Sequence, residues 1–400
     1  AWIAPAAGLA AGLGQAPRER FDNQYLAEAA GNGPWQFCHA FGSAQLDYFH
    51  FYVHRNAAAM DAVLREQVRS PGAHFTSTVP FDLTREVPAT RPARALNVML
   101  VVVESLSAKY LGAYGAPDEL TPNLDRLAGQ SVWFTRFYAT GTRTVRGLEA
   151  IALSIPPTPG EAIVKRPDHA GLFSLGSVLR ARGYDTRFLY GGFGYFDNMN
   201  AFFGSNGFDV VDRQAFAPQE IAFANIWGVA DESLYAKSIQ VADASHAAGR
   251  PFFSLVMTTS NHRPYTYPAG RVSIPPHTGR DGAVQYTDWA IGDFLAKART
   301  RPWFADTLFV FVADHCAGSD GRTALPVFRY HIPLFIYAPA RLAPRRVDTL
   351  ASQIDIAPTV LDFAGLPPLA DIQAVALAPL LRGEAAARVL DVYGESFEPL

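Results

Sequence analysis

The sequence predicts an α/β protein built as a three-layer α/β/α sandwich, and two observations carry that expectation. Continuous apolar, β-branched runs recur along the chain, as in strands buried on both faces of a parallel sheet. Amphipathic stretches of helical period lie between them, and such alternation covers a sheet with helices on both sides. Composition agrees: of 400 residues 49% are apolar and 18% charged, which fits one large domain or one plus a small appendage. A net charge of −3 leaves no basic excess for a phosphate backbone, so nucleic acid is not an expected partner. Cys38 and Cys316 allow one bridge at most and exclude a disulfide scaffold or a cysteine-based metal cluster. No run approaches the roughly 20 apolar residues of a membrane-spanning helix.

Residues 1–94 read as a helical and linker extension. Its start, residues 1–13, is small and apolar before the charged Arg18-Glu19-Arg20; this fits the tail of a removed hydrophobic region, a processed signal, or an N-terminal arm. Helical and loop material follows to Asp82, with aromatics at Phe37, Phe41, Tyr48, Phe49, Phe51 and Tyr52, and residues 88–94 form a Pro/Arg-rich linker. Residues 95–400 carry the sandwich. Strands are expected at 97–104, 186–190, 252–258, 307–313 and 332–337, and a last strand and turn at 391–395. Helices are expected at 121–129, with Thr121 as N-cap and Pro122 first inside, then at 174–183, 231–248, 285–299 and 355–365.

Chemistry in such sheets sits at the carboxyl ends of the strands. Two strands end in acids there: one on Glu104, next to Ser105, the other on Asp314-His315. A carboxylate closing a hydrophobic strand is costly to bury unpaired. Glu104 alone would be read as a salt bridge or cap; with Asp314 and His315 it points to one divalent metal, manganese first, with zinc and magnesium open. The segment 138–150 adds a sharp turn at Gly141, then Thr142, Arg143, Thr144 and Arg146 before an apolar helix expected from about Leu148. A hydroxyl at a helix N-terminus beside a cation becomes a nucleophile at neutral pH, and flanking arginines can meet phosphate oxygens; alone, the segment would be an ordinary threonine cap with solvated arginines. His262, after the strand 252–258, is a candidate for phosphate binding or leaving-group protonation. His331 is open between substrate contact and a structural role, and the Gly- and aromatic-rich loop 190–200 between a substrate wall and a packed loop.

Taken in order, Glu104-Ser105, the helix Thr121-Pro122-Asn123-Leu124-Asp125-Arg126-Leu127-Ala128, Gly141-Thr142-Arg143-Thr144, Asn261-His262, Asp314-His315 and Ser352-Gln353-Ile354-Asp355-Ile356-Ala357-Pro358-Thr359 form a recognisable series. The series resembles the sulfatase branch of the alkaline phosphatase superfamily, and within it the lipoteichoic acid synthase-like phosphoglycerol transferases. Trp227-Gly228 with Asp231-Glu232, and upstream Gly31-Asn32-Gly33 with Leu46-Asp47-Tyr48, are similar to that subgroup in particular. The resemblance implies a metal-dependent enzyme held in the cytoplasmic membrane by preceding helices, its catalytic domain in the periplasm or on the outer face. By motif match Thr144 is the nucleophile, and Glu104, Thr144, Asp314 and His315 surround the metal. His262 matches the substrate-contacting histidine, and Arg143, Arg146, Phe196, Asn198, Trp227 and His331 complete the expected substrate contacts. Phe196 and Asn198 fall where the family carries Trp and Arg, so the headgroup pocket departs from the family pattern.

The implied reaction takes phosphoglycerol from phosphatidylglycerol onto Thr144 and then to a glycan or glycerol phosphate acceptor. A phosphoethanolamine transferase or a phosphodiesterase of the same superfamily is the alternative. Sulfatases proper carry Cys or Ser followed by Pro and Arg where this chain has Thr144-Val145-Arg146, so sulfate-ester hydrolysis is disfavoured. A silent headgroup-binding module is the reading from another class, and the nucleophile beside a metal set argues against it.

Overall fold

The computed structural model describes residues 96–323 and 325–365 and, ahead of them, 20–34, 36–37, 56–67, 69, 72, 74–83 and 85–86. Cys38, the aromatics between 41 and 52, Leu46-Asp47-Tyr48, the linker expected at 88–94 and the strand expected at 391–395 lie outside the described residues. In the extension, α1 (Gln24–Ala30) is opened by the Asn23 side chain, which accepts the Tyr25 N–H at 3.0 Å. α2 (Ala57–Gln67) follows, then an antiparallel pair, β1 (His74–Phe75) with β2 (Arg85–Glu86), which the sequence reading did not include. α1 is fastened to a later loop: Gln24 N–H donates to the Arg322 carbonyl at 3.0 Å, and the Tyr25 hydroxyl to Asp320 Oδ2 at 2.9 Å.

β3 (Asn97–Val103) is buried at every position, as its unbroken apolar run requires. α3 (Pro122–Ala128) has the expected Thr121 N-cap and leading proline, but the Thr121 side chain makes no cap bond. Asp288, from a helix far along the chain, accepts the Asn123 and Leu124 N–H groups instead, at 3.1 and 2.7 Å. Next come β4 (Val132–Phe134), β5 (Phe137–Tyr138), α4 (Thr144–Leu153), α5 (Leu175–Ala181), β6 (Asp185–Tyr190), α6 (Met199–Ser205), β7 (Asp209–Val211), α7 (Asp231–Ala247), β8 (Phe252–Met257), α8 (Arg280–Ala298), β9 (Thr307–Ala313), β10 (Leu334–Tyr337), β11 (Arg345–Val347), β12 (Ala351–Ser352) and α9 (Ile356–Phe363).

Among the described residues, eight strands form the central sheet in the order β11-β4-β10-β9-β3-β8-β6-β7. β9, β3, β8, β6 and β7 run parallel, while β10 is antiparallel to both β9 and β4. Helices α3, α7 and α8 pack together on one side; α4 packs against α5 and α9 on the other, which is the three-layer sandwich the sequence predicts. A separate parallel pair, β5 with β12, lies beside the sheet. β3 sits between β8 and β9, so the residues that leave these three carboxyl ends arrive side by side.

Candidate metal centre

Strand register builds the centre. Val103 pairs with Ala313, so the next residue on each strand, Glu104 and Asp314, leaves the sheet at the same level. One ligand atom each from Glu104, Asp314 and His315 lies within 4.8 Å of the other two, the set the sequence predicts. Ser105 turns the chain with φ of 50°; its N–H donates to Asp314 Oδ1 at 2.7 Å and its hydroxyl to Glu104 Oε1 at 2.6 Å. His315 N–H also donates to Asp314 Oδ1, at 2.7 Å. One carboxylate oxygen of Asp314 thereby takes two backbone donors.

The other oxygen, Asp314 Oδ2, is fully buried and has no hydrogen-bond partner among the described residues. His315 Nδ1 lies 2.7 Å from the Cys316 carbonyl, a contact that only an N–H can make, so Nε2 carries the lone pair in the neutral ring. That Nε2 faces Asp314 Oδ2 at 3.3 Å and Glu104 Oε1 at 3.9 Å. Three electron-rich atoms thus converge in a buried place. Burial first, and the Glu104 charge second, push the Asp314 carboxyl up to about 7. A divalent cation relieves both the orphaned oxygen and the mutual repulsion, and two hard oxygens with one imidazole suit manganese, zinc or magnesium. The donor set fits the metal.

Thr144 opens α4, four residues earlier than the apolar pattern indicated, which puts its hydroxyl at the positive end of the helix. The hydroxyl lies 3.4 Å from Glu104 Oε2. The helix comes this close because residue 147 is glycine: a Cβ there would lie 2.3 Å from the Asp314 carbonyl oxygen. A cleft opens over Thr144 and Glu104, lined also by Tyr190, Phe196, Met199, Trp227, Thr259 and His262. His262 stacks obliquely on Trp227 with ring centroids 3.9 Å apart, and Trp227 Nε1 donates to the Arg263 carbonyl. Phe196 meets Trp227 edge-on, and exposed Tyr195 and Ile226 flank these two aromatics in sequence.

The remaining expected contacts are placed differently. Arg143 caps α4 from an exposed position and does not line the cleft. Arg146 corrects the reading of it as a substrate contact: it is buried, pairs with Glu149 at 2.8 Å and donates to the Gly160 carbonyl. His331 is corrected likewise; its Nε2 contacts the Thr135 carbonyl at 2.8 Å, its ring stacks on Tyr138, and burial pulls its pKa down. Asn198, unlike its neighbour Phe196, turns from the cleft and donates to the Val164 carbonyl at 2.8 Å.

Several residues to which the sequence assigns no role in the site hold the centre in place. Thr258 Oγ1 accepts the Glu104 N–H at 3.0 Å, and Asn261 Nδ2 donates to the Glu104 carbonyl at 2.9 Å. Buried Asp231 accepts the Thr259 and Ser260 N–H groups, fixing the loop that carries Asn261 and His262; burial pushes its carboxyl up to about 6. Tyr190 closes β6, as the strand expected at 186–190 requires, and lines the cleft as the first residue of the aromatic loop.

A parallel-centred sheet with a metal donor set at its carboxyl ends is the architecture of the alkaline phosphatase superfamily. A member from Vibrio parahaemolyticus is 36% identical, with a TM-score of 0.76 over 83% of this chain and 81% of its own. The chain belongs to the sulfatase family, whose family model matches residues 96–366. Among curated relatives, phosphoglycerol transferase I of Xanthomonas axonopodis pv. citri is 26% identical over 70% of this chain and 42% of its own length. Lipoteichoic acid synthase 2 of Bacillus subtilis is 23% identical over 68% of this chain and 46% of its own. The chain therefore spans less than half the length of these relatives. The lipoteichoic acid synthase LtaP of Listeria monocytogenes shares the fold, with a TM-score of 0.64 at 20% identity over 78% of this chain and 80% of its own.

Proposed function

We propose that this chain is the catalytic part of a metal-dependent phosphoglycerol transferase that acts at the outer side of the cytoplasmic membrane. The observation that carries the reading is the Thr144 hydroxyl at the start of α4, 3.4 Å from Glu104 and opening onto the cleft. The curated relatives named as phosphoglycerol transferase I and lipoteichoic acid synthase support the donor, phosphatidylglycerol. Residues Glu104, Thr144, Asp314 and His315 would hold one divalent cation, manganese first. Bound there, the cation lowers the pKa of the threonine hydroxyl and offsets charge that builds on the phosphoryl oxygens.

Thr144 Oγ forms the new bond to phosphorus as the bond to the diacylglycerol oxygen breaks. Its proton is directed at Glu104 Oε2, and His262, on the cleft wall, protonates the departing diacylglycerol oxygen. A hydroxyl of a glycan or glycerol phosphate acceptor then attacks the same phosphorus and returns Thr144 to its free form. Exposed Tyr195 and Ile226, beside the cleft aromatics, support a substrate with acyl chains.

Incubation of the manganese-loaded protein with phosphatidylglycerol or phosphatidylethanolamine in mixed micelles tests the donor. Release of diacylglycerol from phosphatidylglycerol alone is expected. Release from phosphatidylethanolamine alone would move the activity to phosphoethanolamine transfer, and release from neither would overturn the reading.

A further inference from the structure

Buried Gln353 sits where three segments of the centre meet. β12 pairs with β5 in parallel, Ala351 opposite Phe137 and Ser352 opposite Tyr138, so the next residue, Gln353, comes level with the start of the loop that ends at Thr144. Its Oε1 accepts both the Thr140 N–H at 2.9 Å and the Thr140 hydroxyl at 3.0 Å. Its Nε2 donates to the Ala313 carbonyl at 2.8 Å and to the Asp314 carbonyl at 2.6 Å. All four bonds are made inside the protein, and the amide has one orientation: a main-chain N–H can only donate and a carbonyl can only accept. The Asp314 carbonyl also lies against Gly147 of α4. One uncharged side chain therefore links the loop before Thr144 to the main chain of Asp314.

We propose that Gln353 is a positioning residue, which sets the distance between the Thr144 hydroxyl and the Asp314-His315 turn. It touches neither substrate nor metal; it acts through Thr140 and the Asp314 main chain. This inference rests on the reading of Thr144 and Asp314-His315 as the working groups. Outer partners that orient metal-binding side chains typically contribute about 10- to 100-fold in affinity or activity when removed. Glutamate at this position keeps the acceptor for Thr140 but turns a second oxygen toward two carbonyls, whereas methionine keeps the length and removes all four bonds.

Gln353→Met and Gln353→Glu are compared with wild type in three measurements: manganese affinity by calorimetry, the thermal midpoint of the metal-free protein, and kcat and KM on bis-p-nitrophenyl phosphate. The expected result is a loss of about 10- to 100-fold in kcat or manganese affinity, with KM within about threefold, among molecules that remain folded. Wild-type kcat and manganese affinity in Gln353→Met would overturn the proposal, as would losses that only follow the unfolded fraction. If neither variant folds, Thr140→Val decides: it drops the hydroxyl bond and should lower kcat, while Thr140→Ser, which keeps that bond, restores it. Equal activity of these two would overturn the proposal. Manganese affinity also separates the two readings, because a Gln353 effect on affinity in a protein that releases diacylglycerol from neither phospholipid would leave positioning intact and refute the transferase.

Discussion

Gly147→Ala puts the packing of α4 against the Asp314-His315 turn to a direct test. The new Cβ would stand 2.3 Å from the Asp314 carbonyl oxygen, 2.9 Å from its carbon and 3.0 Å from Cα. Ordinary van der Waals contact begins at 3.4 Å. Every obstructing atom belongs to the main chain, so no rotamer change relieves the clash, and α4 or the turn must move by about 1 Å. Overpacking of this kind costs about 1–3 kcal/mol. Thr144 stands three residues away on the same helix, and a displacement of about 1 Å at a reacting group costs about 100-fold in rate. Urea unfolding and turnover of a chromogenic phosphodiester measure the two effects. A kcat within threefold of wild type would refute the coupling even if stability fell. Gly204→Ala is the control: its Cβ meets nothing nearer than Val210 Cγ2 at 4.0 Å, so it should leave turnover unchanged and stabilise α6 by up to about 1 kcal/mol.

Other outcomes follow from the same structure. Thr144→Ala should remove at least about 1000-fold of the turnover while shifting the thermal midpoint little, since it deletes one half-buried hydroxyl and one methyl. Manganese should raise the midpoint of the stripped wild-type protein, by about 2.7 kcal/mol of stability at 100 times its Kd, and should do so far less in Glu104→Gln or Asp314→Asn. Burial pushes Asp288 up to about 6, against about 3.9 in an unfolded chain, so the folded state holds the extra proton between these values. Stability from this group is then greatest below pH 4 and falls by up to about 1.4 kcal/mol per pH unit as pH rises through 6. Asp288→Ala should flatten that slope and, by uncapping α3, cost about 1–2 kcal/mol, both visible in urea titrations across pH 4–7.

The interior of the fold was legible because its strands carry one signal. β3, β8 and β9 are apolar at nearly every position, and their seven- and six-residue runs leave no other reading. β4, β7 and β11 were not read, since three residues are too few to show a period and Arg345-Arg346-Val347 has the composition of a loop. The antiparallel direction of β10 leaves no trace in composition. α4 was placed late because Thr144-Val145-Arg146-Gly147 breaks the helical period and contains a poor helix former, needed there for close approach. The acids of the candidate metal centre stand out in the sequence because carboxylates at the ends of buried strands conflict with their surroundings and so demand a partner. Arg146 has the residue type of a phosphate contact, but Glu149 three residues on marks it for an intrahelical pair. The amides of Asn261 and Gln353 could not be assigned from sequence, because their partners are main-chain groups of segments 157 and 39 residues away.

The central claim is that Thr144 carries the transferred group. Intact-protein mass spectrometry after incubation of the manganese-loaded protein with phosphatidylglycerol, followed by peptide mapping, tests it most directly. A phosphoglycerol adduct is expected on the peptide that contains Thr144, and none in Thr144→Ala. An adduct on another residue, or turnover that persists in Thr144→Ala, would contradict it.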